Sequence, residues 1–482
     1  MKVYPNKILL SLLALFAGGI LPFAFAPFGV SIFAILSPAI LLYVWIHSSP
    51  KEAFLRGFLF GLGFFSIGIY WVYISIYVYG NASLFLAIFL TFLLVMLMSL
   101  YIALQGYLLN KIFTRNTWYK FLLAFPFSWV IFELVRGSLF GGFPWLYLGY
   151  SQIDTSLRGF APIFGVWGVS YFVAFSAACI VGLFIFKTRK TQTSLIASLL
   201  FVWIFGWLLT YVDWTSPSGK DIKISLIQGN IRQEVKWQRK QLSGILNHYH
   251  VLTKKVWRNS EIIIWPEAAI PAIADEVKPY LNRLNKEARK HKTALITGIP
   301  LSDKNEHYYN GIIALGTGHG EYFKRHLVPF GEYIPLQKIF NIFFKWFAIP
   351  MSNFSAGFRI QPDFIASGIV LAPFICYEIA YPSLVVDYMP KAGLLVTVSD
   401  DSWFDRSIAL AQQLEIARMR SLEVGRYQAV TSNTGFTAII DARGRVIADV
   451  PPFDEYILTG SVVPMSGSTP FVHLMRIFNS IF

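Results

Sequence analysis

Gly368-Ile369-Val370-Leu371-Ala372-Pro373-Phe374-Ile375-Cys376-Tyr377-Glu378 is a short apolar run that ends abruptly in a cysteine between an aromatic ring and a carboxylate. A bounded run of this kind reads as a buried strand. A rigid strand aims the side chain that follows it, so the chemistry of an α/β domain gathers at strand ends. Two upstream stretches have the same form. Ile262-Ile263-Ile264-Trp265-Pro266-Glu267 ends a strand in a carboxylate, and Tyr322-Phe323-Lys324-Arg325-His326 puts a lysine after an aromatic pair. A thiol, a carboxylate and an amine are the parts of a covalent acyl-transfer site. Cys376 would attack a carbonyl, Glu267 would carry the proton, and Lys324 would stabilise the oxyanion.

The same texture holds from Asp221 onward. Candidate strands are 222–227, 262–265, 294–297, 311–315, 369–375, 394–398, 429–432, 437–441 and 457–460. They alternate with candidate helices at 234–257, 276–291 and 409–425. That alternation predicts a mixed α/β layered domain of about 240 residues, placed at 221–463. Inside it, Pro335 to Asp363 is irregular and apolar, with Phe343, Phe344, Trp346, Phe347, Ile349 and Met351. So long and apolar a loop reads as a lid that dips into a membrane.

The first half of the chain is different. Hydrophobic residues make up 55% of the 482, Phe alone occurs 44 times, and charged residues are only 14%. Such dilution of charge marks an integral membrane protein rather than a soluble one. Apolar runs near 8–26, 30–47, 57–79, 83–109, 121–138, 160–186 and 193–212 predict about seven helices in a transmembrane domain at 1–213. The N-terminus and the alternate connections carry Lys2, Lys7, Lys51, Arg56, Lys111, Arg115, Lys120, Lys187, Arg189 and Lys190, against Arg136 and Arg158 on the other side. By the positive-inside rule the N-terminus is cytoplasmic and everything after the seventh helix lies outside. Ala24-Phe25-Ala26 has the form of a signal-peptide cleavage site, but the proline that follows argues against cleavage. The connection from Gly137 to Gly159, with Gly141-Gly142-Phe143-Pro144-Trp145 and Tyr147, is either an interfacial aromatic belt or part of a lipid access site.

Net charge is +14, which suits anionic lipid headgroups; no basic stripe on a soluble face calls for nucleic acid. Cys179 lies in an apolar run and reads as a small buried hydrophobe, so no disulfide with Cys376 is expected. In the C-terminal segment at 464–482, the residues after Thr469 are too few to span a bilayer as a helix. Phe471, Leu474, Met475, Phe478, Ile481 and Phe482 share a helical face opposite His473, Arg476 and Asn479, which predicts an amphipathic, membrane-associated end.

Trp265-Pro266-Glu267, the stretch from Lys324 to Tyr333 (Lys-Arg-His-Leu-Val-Pro-Phe-Gly-Glu-Tyr) and Ile375-Cys376-Tyr377-Glu378 resemble the Glu–Lys–Cys motifs of the nitrilase (carbon–nitrogen hydrolase) superfamily. With apolar spans ahead of them, the whole resembles the bacterial apolipoprotein N-acyltransferase family. Gln228-Gly229-Asn230-Ile231, Lys236-Trp237, Ser399-Asp400-Asp401-Ser402-Trp403-Phe404 and Ala417-Arg418-Met419-Arg420-Ser421-Leu422-Glu423 fit the same family, as do Gly68-Ile69-Tyr70-Trp71 and Gly142-Phe143-Pro144-Trp145. The resemblance implies an αββα sandwich for the outer domain. It also implies a ping-pong reaction, the last step of bacterial lipoprotein maturation. Cys376 takes an acyl chain from a phospholipid as a thioester and passes it to the α-amino group of a diacylglyceryl-cysteine apolipoprotein. Glu267 is then the base, Lys324 the oxyanion partner and Glu332 a supporting carboxylate, while Trp237, Tyr377 and Glu378 shape the pocket. The expected setting is the bacterial inner membrane, multi-pass, with the catalytic domain periplasmic; a monomer is expected, with no cofactor and no metal. One departure is the C-terminus, where the family usually has a further transmembrane helix.

Two other readings compete. A membrane-tethered amidase of the nitrilase type would hydrolyse small C–N bonds through the same thioester, but it needs neither the apolar lid nor the membrane half. A scaffold or receptor that had lost catalysis would have no reason to keep the Glu–Lys–Cys set.

Overall fold

The computed structural model describes residues 6–80, 82–329, 331–333 and 354–481. The chain falls into two compact units, Met1–Tyr77 with Ala82–Val212, and Val78–Asn81 with Asp213–Phe482.

The first unit is helical: α1 (Lys7–Ile20), α2 (Phe33–Ile46), α3 (Pro50–Gly68), α4 (Leu84–Ile112), α5 (Phe125–Ser138), α6 (Ala161–Ile185) and α7 (Arg189–Leu209). Each predicted apolar run contains one helix. Among the described residues five helical stretches are long and apolar enough to cross a membrane, or six if α3 and Val72–Tyr79, bent by 59°, count as one span. The expected second span is shorter than foreseen. The chain turns through Pro27 and Gly29 (φ 67°), so α2 begins only at Phe33 and has 14 residues. Helices α1 and α3 touch backbone to backbone. A Cβ on Gly18 would lie 1.9 Å from Phe60 O, and one on Gly63 would lie 2.3 Å from Leu15 O, so only glycine permits the approach.

The connection after α5 folds inward. Trp145, Tyr147, Leu148 and Tyr150 are buried, so these rings do not form the interfacial belt, and Phe140 alone among the neighbouring aromatics stands out, at 84% exposure.

Among the described residues the second unit has twelve main strands: β1 (Ile222–Gln228), β2 (Ile262–Ile264), β3 (Ala294–Ser302), β4 (Tyr308–Gly316), β5 (Glu321–Phe323), β6 (Phe364–Ala366), β7 (Ile369–Ile375), β8 (Leu394–Ser399), β9 (Tyr427–Ser432), β10 (Thr437–Ile440), β11 (Val446–Val450) and β12 (Tyr456–Val462). They form two six-stranded sheets, ordered β12-β1-β2-β3-β4-β5 and β11-β10-β9-β8-β7-β6. The centre of each is parallel (β1–β2–β3 and β7–β8–β9), and the edges are antiparallel. Period-two alternation explains the stacking. Ile262 and Ile264 face the second sheet, in a shared core with Ile375, Val396 and Val398. Ile263 and Trp265 point the other way, onto Tyr249 and Leu252 of α8 (Leu242–Lys254) and Leu284 of α9 (Lys278–Lys290). Helix α10 (Ala409–Val424) packs against β9 of the second sheet, which completes an α/β sandwich.

The predicted helix at 234–257 is broken. A short turn, Gln233–Lys236, precedes a 3-10 turn and then α8, and the break lets Lys236 turn inward. Strands β5, β6 and β11 run three to five residues and fall below what periodicity resolves. The six bulky side chains of the expected lid lie in 334–353, outside the described residues. Beyond that gap Phe358 and Ile360 are exposed. The C-terminal residues form α11 (Pro470–Ile481), anchored by Thr469 Oγ1, which donates to Glu423 O at 2.6 Å, and by buried Phe471 and Val472; Leu474 stays exposed.

Candidate active site

Cys376 follows β7 directly, where the strand breaks into a 3-10 turn, Cys376–Ala380. Its φ is 52°, a left-handed backbone that costs free energy in a residue with a Cβ. The kink lifts the thiol off the strand end. Glu267 follows β2 in the facing sheet, and Lys324 follows β5. All three side chains are buried, Lys324 the most deeply.

The charged groups interlock. Lys324 Nζ lies 2.9 Å from Glu332 Oε1 and 3.7 Å from Glu267 Oε1. Asn310, on β4, donates both protons of its amide, to Glu267 Oε1 at 2.7 Å and to Glu332 Oε1 at 2.9 Å. The second oxygen of Glu332 accepts from Val328 N at 2.8 Å, and that of Glu267 accepts from Asp400 N at 2.9 Å. An ammonium has three protons. One is donated to Glu332, while Glu267 at 3.7 Å is an ion-pair partner beyond hydrogen-bond reach, so donor capacity remains for an oxyanion.

Burial holds the Glu267 carboxyl up at about 7, against the pull of Lys324 and with a push from Glu332. Burial also drives the Cys376 thiol well above its ordinary range, and the Glu267 charge adds to this while Lys324 opposes it. Lys324 is the reverse case. Burial works to lower it, but Glu332 and Glu267 outweigh that and keep it firmly cationic. The resting site is therefore a thiol, a carboxyl poised near neutrality and a permanent cation.

Glu378 sits behind Cys376. Its carboxylate accepts from Ile375 N at 2.8 Å, Arg325 N at 2.7 Å, His326 N at 3.1 Å and the Tyr322 hydroxyl at 2.9 Å. It clamps the two strand ends and is fully buried. The Tyr377 ring lies 6.1 Å from His326 and 5.2 Å from Tyr381, in an aromatic cluster beside the cysteine. Trp237 is half exposed. Its neighbour Lys236 is buried, donates to Glu267 O at 3.0 Å and pairs with Asp400. With its amide nitrogen toward Asp400 (3.2 Å) and its oxygen toward Trp237 Nε1 (3.3 Å), Gln233 ties Trp237 to the same cluster.

Glu267, Lys324, Cys376 and Glu332 thus come together, with Glu378 as a clamp and Tyr377 and Trp237 at the margin. Sequence reasoning missed Asn310 and gave no role to Lys236 and Asp400. A polar residue interrupting the run Tyr308 to Leu315 was the signal for Asn310. Among the described residues no cluster of His, Cys, Asp and Glu could hold a metal.

Two family models match the chain: the apolipoprotein N-acyltransferase N-terminal domain over residues 17–179, and carbon-nitrogen hydrolase over residues 223–470. An apolipoprotein N-acyltransferase of Coxiella burnetii (strain RSA 493 / Nine Mile phase I) is 47% identical over 464 residues, covering 96% of this chain and 96% of that one. The one from Methylococcus capsulatus is 42% identical over 462 residues, covering 95% and 91%. The one from Vibrio cholerae is 40% identical over 481 residues, covering 98% and 94%.

Proposed function

The chain belongs to the apolipoprotein N-acyltransferase family, and from that premise we propose how its residues carry the reaction. It is a membrane enzyme that N-acylates lipoproteins. Acyltransferases of nearly the same length match both halves, which favours transfer over hydrolysis by a small-substrate amidase.

The acyl donor is a phospholipid, and Cys376 is acylated first. As sulfur attacks the ester carbon, the thiol proton passes to Glu267 and the carbonyl oxygen becomes an anion beside the Lys324 ammonium. When the intermediate collapses, the ester C–O bond breaks and Glu267 returns the proton to the departing lysophospholipid. In the second half the α-amino group of a diacylglyceryl-cysteine attacks the thioester. Its proton goes to Glu267, the C–S bond breaks, and the thiol regains a proton. One carboxyl that titrates at about 7 can serve as base and acid in turn. Asn310 and Glu332 hold that carboxyl and the lysine in register. The chain works in the bacterial inner membrane with the second unit periplasmic, as a monomer.

The observation that carries this reading is Cys376 itself, buried on a left-handed turn at a strand end, with Glu267 and Lys324 as its opposing electrostatic partners. Its test is mass spectrometry of the purified enzyme after incubation with phospholipid. An acyl mass on the Cys376 peptide, discharged by a diacylglyceryl peptide, is expected. Acyl transfer without any such adduct sinks the thioester.

A further inference from the structure

The base and the lysine reach Cys376 from the first sheet. A second polar cluster reaches it from its own sheet. Ile375 pairs with Val398 in the parallel register of β7 and β8, which sets the next two residues, Cys376 and Ser399, side by side at the strand ends. Ser399 is among the groups that act on the Cys376 thiol, and it works to lower it. The Ser399 hydroxyl also donates to Asp401 Oδ1 at 2.5 Å and accepts from Gln413 Nε2 at 3.1 Å. The other oxygen of Asp401 accepts from the Ser432 hydroxyl at 2.8 Å. Ser399 is 1% exposed and Asp401 4%.

A hydroxyl has one proton and two lone pairs. With the proton on Asp401 and one lone pair given to Gln413, what Ser399 presents to Cys376 is the second lone pair, an acceptor for S–H. Nothing in the two-step reaction above uses Asp401, yet it is a buried carboxyl one hydroxyl away from the nucleophile.

We propose that Ser399 and Asp401 form a proton relay that gives Cys376 a second outlet for its proton besides Glu267. In the relay the S–H bond breaks and its proton goes to Ser399 Oγ. The Ser399 O–H bond breaks in the same movement, and that proton goes to Asp401 Oδ1. The result is a thiolate, a serine hydroxyl that now donates to sulfur, and a neutral aspartic acid. One negative charge has moved from carboxylate to sulfur, and none has been created. The proposal rests on Cys376 being the nucleophile.

The relay answers a difficulty of the site. A Glu267 that titrates at about 7 is protonated in much of the enzyme at neutral pH, and that fraction cannot accept the thiol proton. It can still donate to a leaving alkoxide. Burial, with a smaller push from Asp400, raises Asp401 only to about 6 against the hydrogen bonds from Ser399, Ser432 and Gln413, so it is ionised at neutral pH and ready to accept. The other charged groups around the thiol are Glu267 and Lys324.

The experiment is iodoacetamide alkylation of the full-length protein in detergent, read on the Cys376 peptide, in a Glu267→Gln background that closes the first outlet. The variant should keep slow alkylation that declines below about pH 6. Adding Ser399→Ala or Asp401→Asn should slow it about tenfold or more, within reach of a general-base effect. Ser399→Thr restores a hydroxyl and should recover the rate. A role for Asp401 through charge alone has the opposite sign, because removing an anion beside a thiol makes the thiolate easier to form. Faster or unchanged alkylation in the double variants therefore overturns the relay. If Asp401→Asn unfolds the protein, the smaller Ser399→Ala change decides. Failure of the wild-type enzyme to alkylate at Cys376 would instead overturn the nucleophile and leave a different result from failure of the relay.

Discussion

Each unit buries a glutamate beside a cation, and the two pairs are used differently. In the helical unit, Arg136 donates to the carbonyls of Phe143 at 2.9 Å, Trp145 at 2.5 Å and Leu146 at 3.4 Å. Glu133, one turn earlier on α5, accepts from Leu148 N at 2.7 Å and Trp129 Nε1 at 3.1 Å. The partners are almost all main-chain groups of one connection. In the α/β unit, Glu267 and Lys324 are held chiefly by other side chains, Asn310 and Glu332, and a lysine proton stays unassigned. A buried cation bonded to backbone carbonyls, as Arg136 is, holds a loop in shape. A buried ion satisfied by side chains, with bonding capacity left beside a thiol, is placed for chemistry. The residue types alone do not tell the two apart; their partners do.

That contrast breaks most completely at the nucleophile. Cys376→Ala should abolish acyl-enzyme and transfer while the protein unfolds at the wild-type temperature, checked by mass spectrometry and thermal melting. Residual transfer in this variant would put the α/β pair in the same class as Arg136. Next come the charged partners. Lys324→Met should slow acylation about a hundred- to a thousandfold in single-turnover assays, and Glu267→Gln by about a hundredfold or more. Because the Glu267 carboxyl is raised, the base form accumulates only as pH climbs through about 7, so the wild-type rate should rise across that range. In Glu267→Gln that rise should vanish. A limb that persists would assign it to another group.

The helical pair should respond in the other currency. Arg136→Met strands three carbonyls and should lower stability in detergent by about 1–3 kcal/mol for each buried group left unsatisfied, while Cys376 alkylation by a small soluble electrophile stays at the wild-type rate. If phospholipid transfer collapsed with stability intact, the Glu133–Arg136 pair would have a chemical role and the contrast would fail. The smallest effect is expected at the apolar stretch of 335–363. Replacing Phe343, Phe344 and Trp346 with serine removes apolar side chains of a kind that gains about 1.5–3 kcal/mol each on burial. Transfer from phospholipid should drop about tenfold with alkylation of Cys376 unchanged. Equal loss of both would make these side chains packing.

What the sequence made legible follows the same division. Glu267, Lys324 and Cys376 could be read because each terminates an apolar run, a local pattern that survives without the fold. The sheets themselves were visible for the same reason, apart from the short β5, β6 and β11. Asn310 was not legible as a site residue, because its meaning comes from the pairing of β4 with β5 and from two carboxylates brought to it by other strands. Lys236 meets Asp400 across 164 positions, a distance over which no periodicity speaks. In the helical unit, hydropathy located the helices, but it carries no information on direction. The 59° bend after α3 and the inward turn of Trp145 and Tyr147 therefore went unread.

The clamp at Glu378 has a consequence for how this enzyme can change. One carboxylate binds the residue before the nucleophile and the two residues after the lysine. The spacing of Cys376 and Lys324 is thus set at the clamp, with Glu332 beside the lysine, and not by the length of chain between Glu332 and Phe354. That stretch, which holds most of the apolar segment, is a cassette. It can be lengthened, shortened or exchanged to suit a different lipid while the reacting groups keep their places.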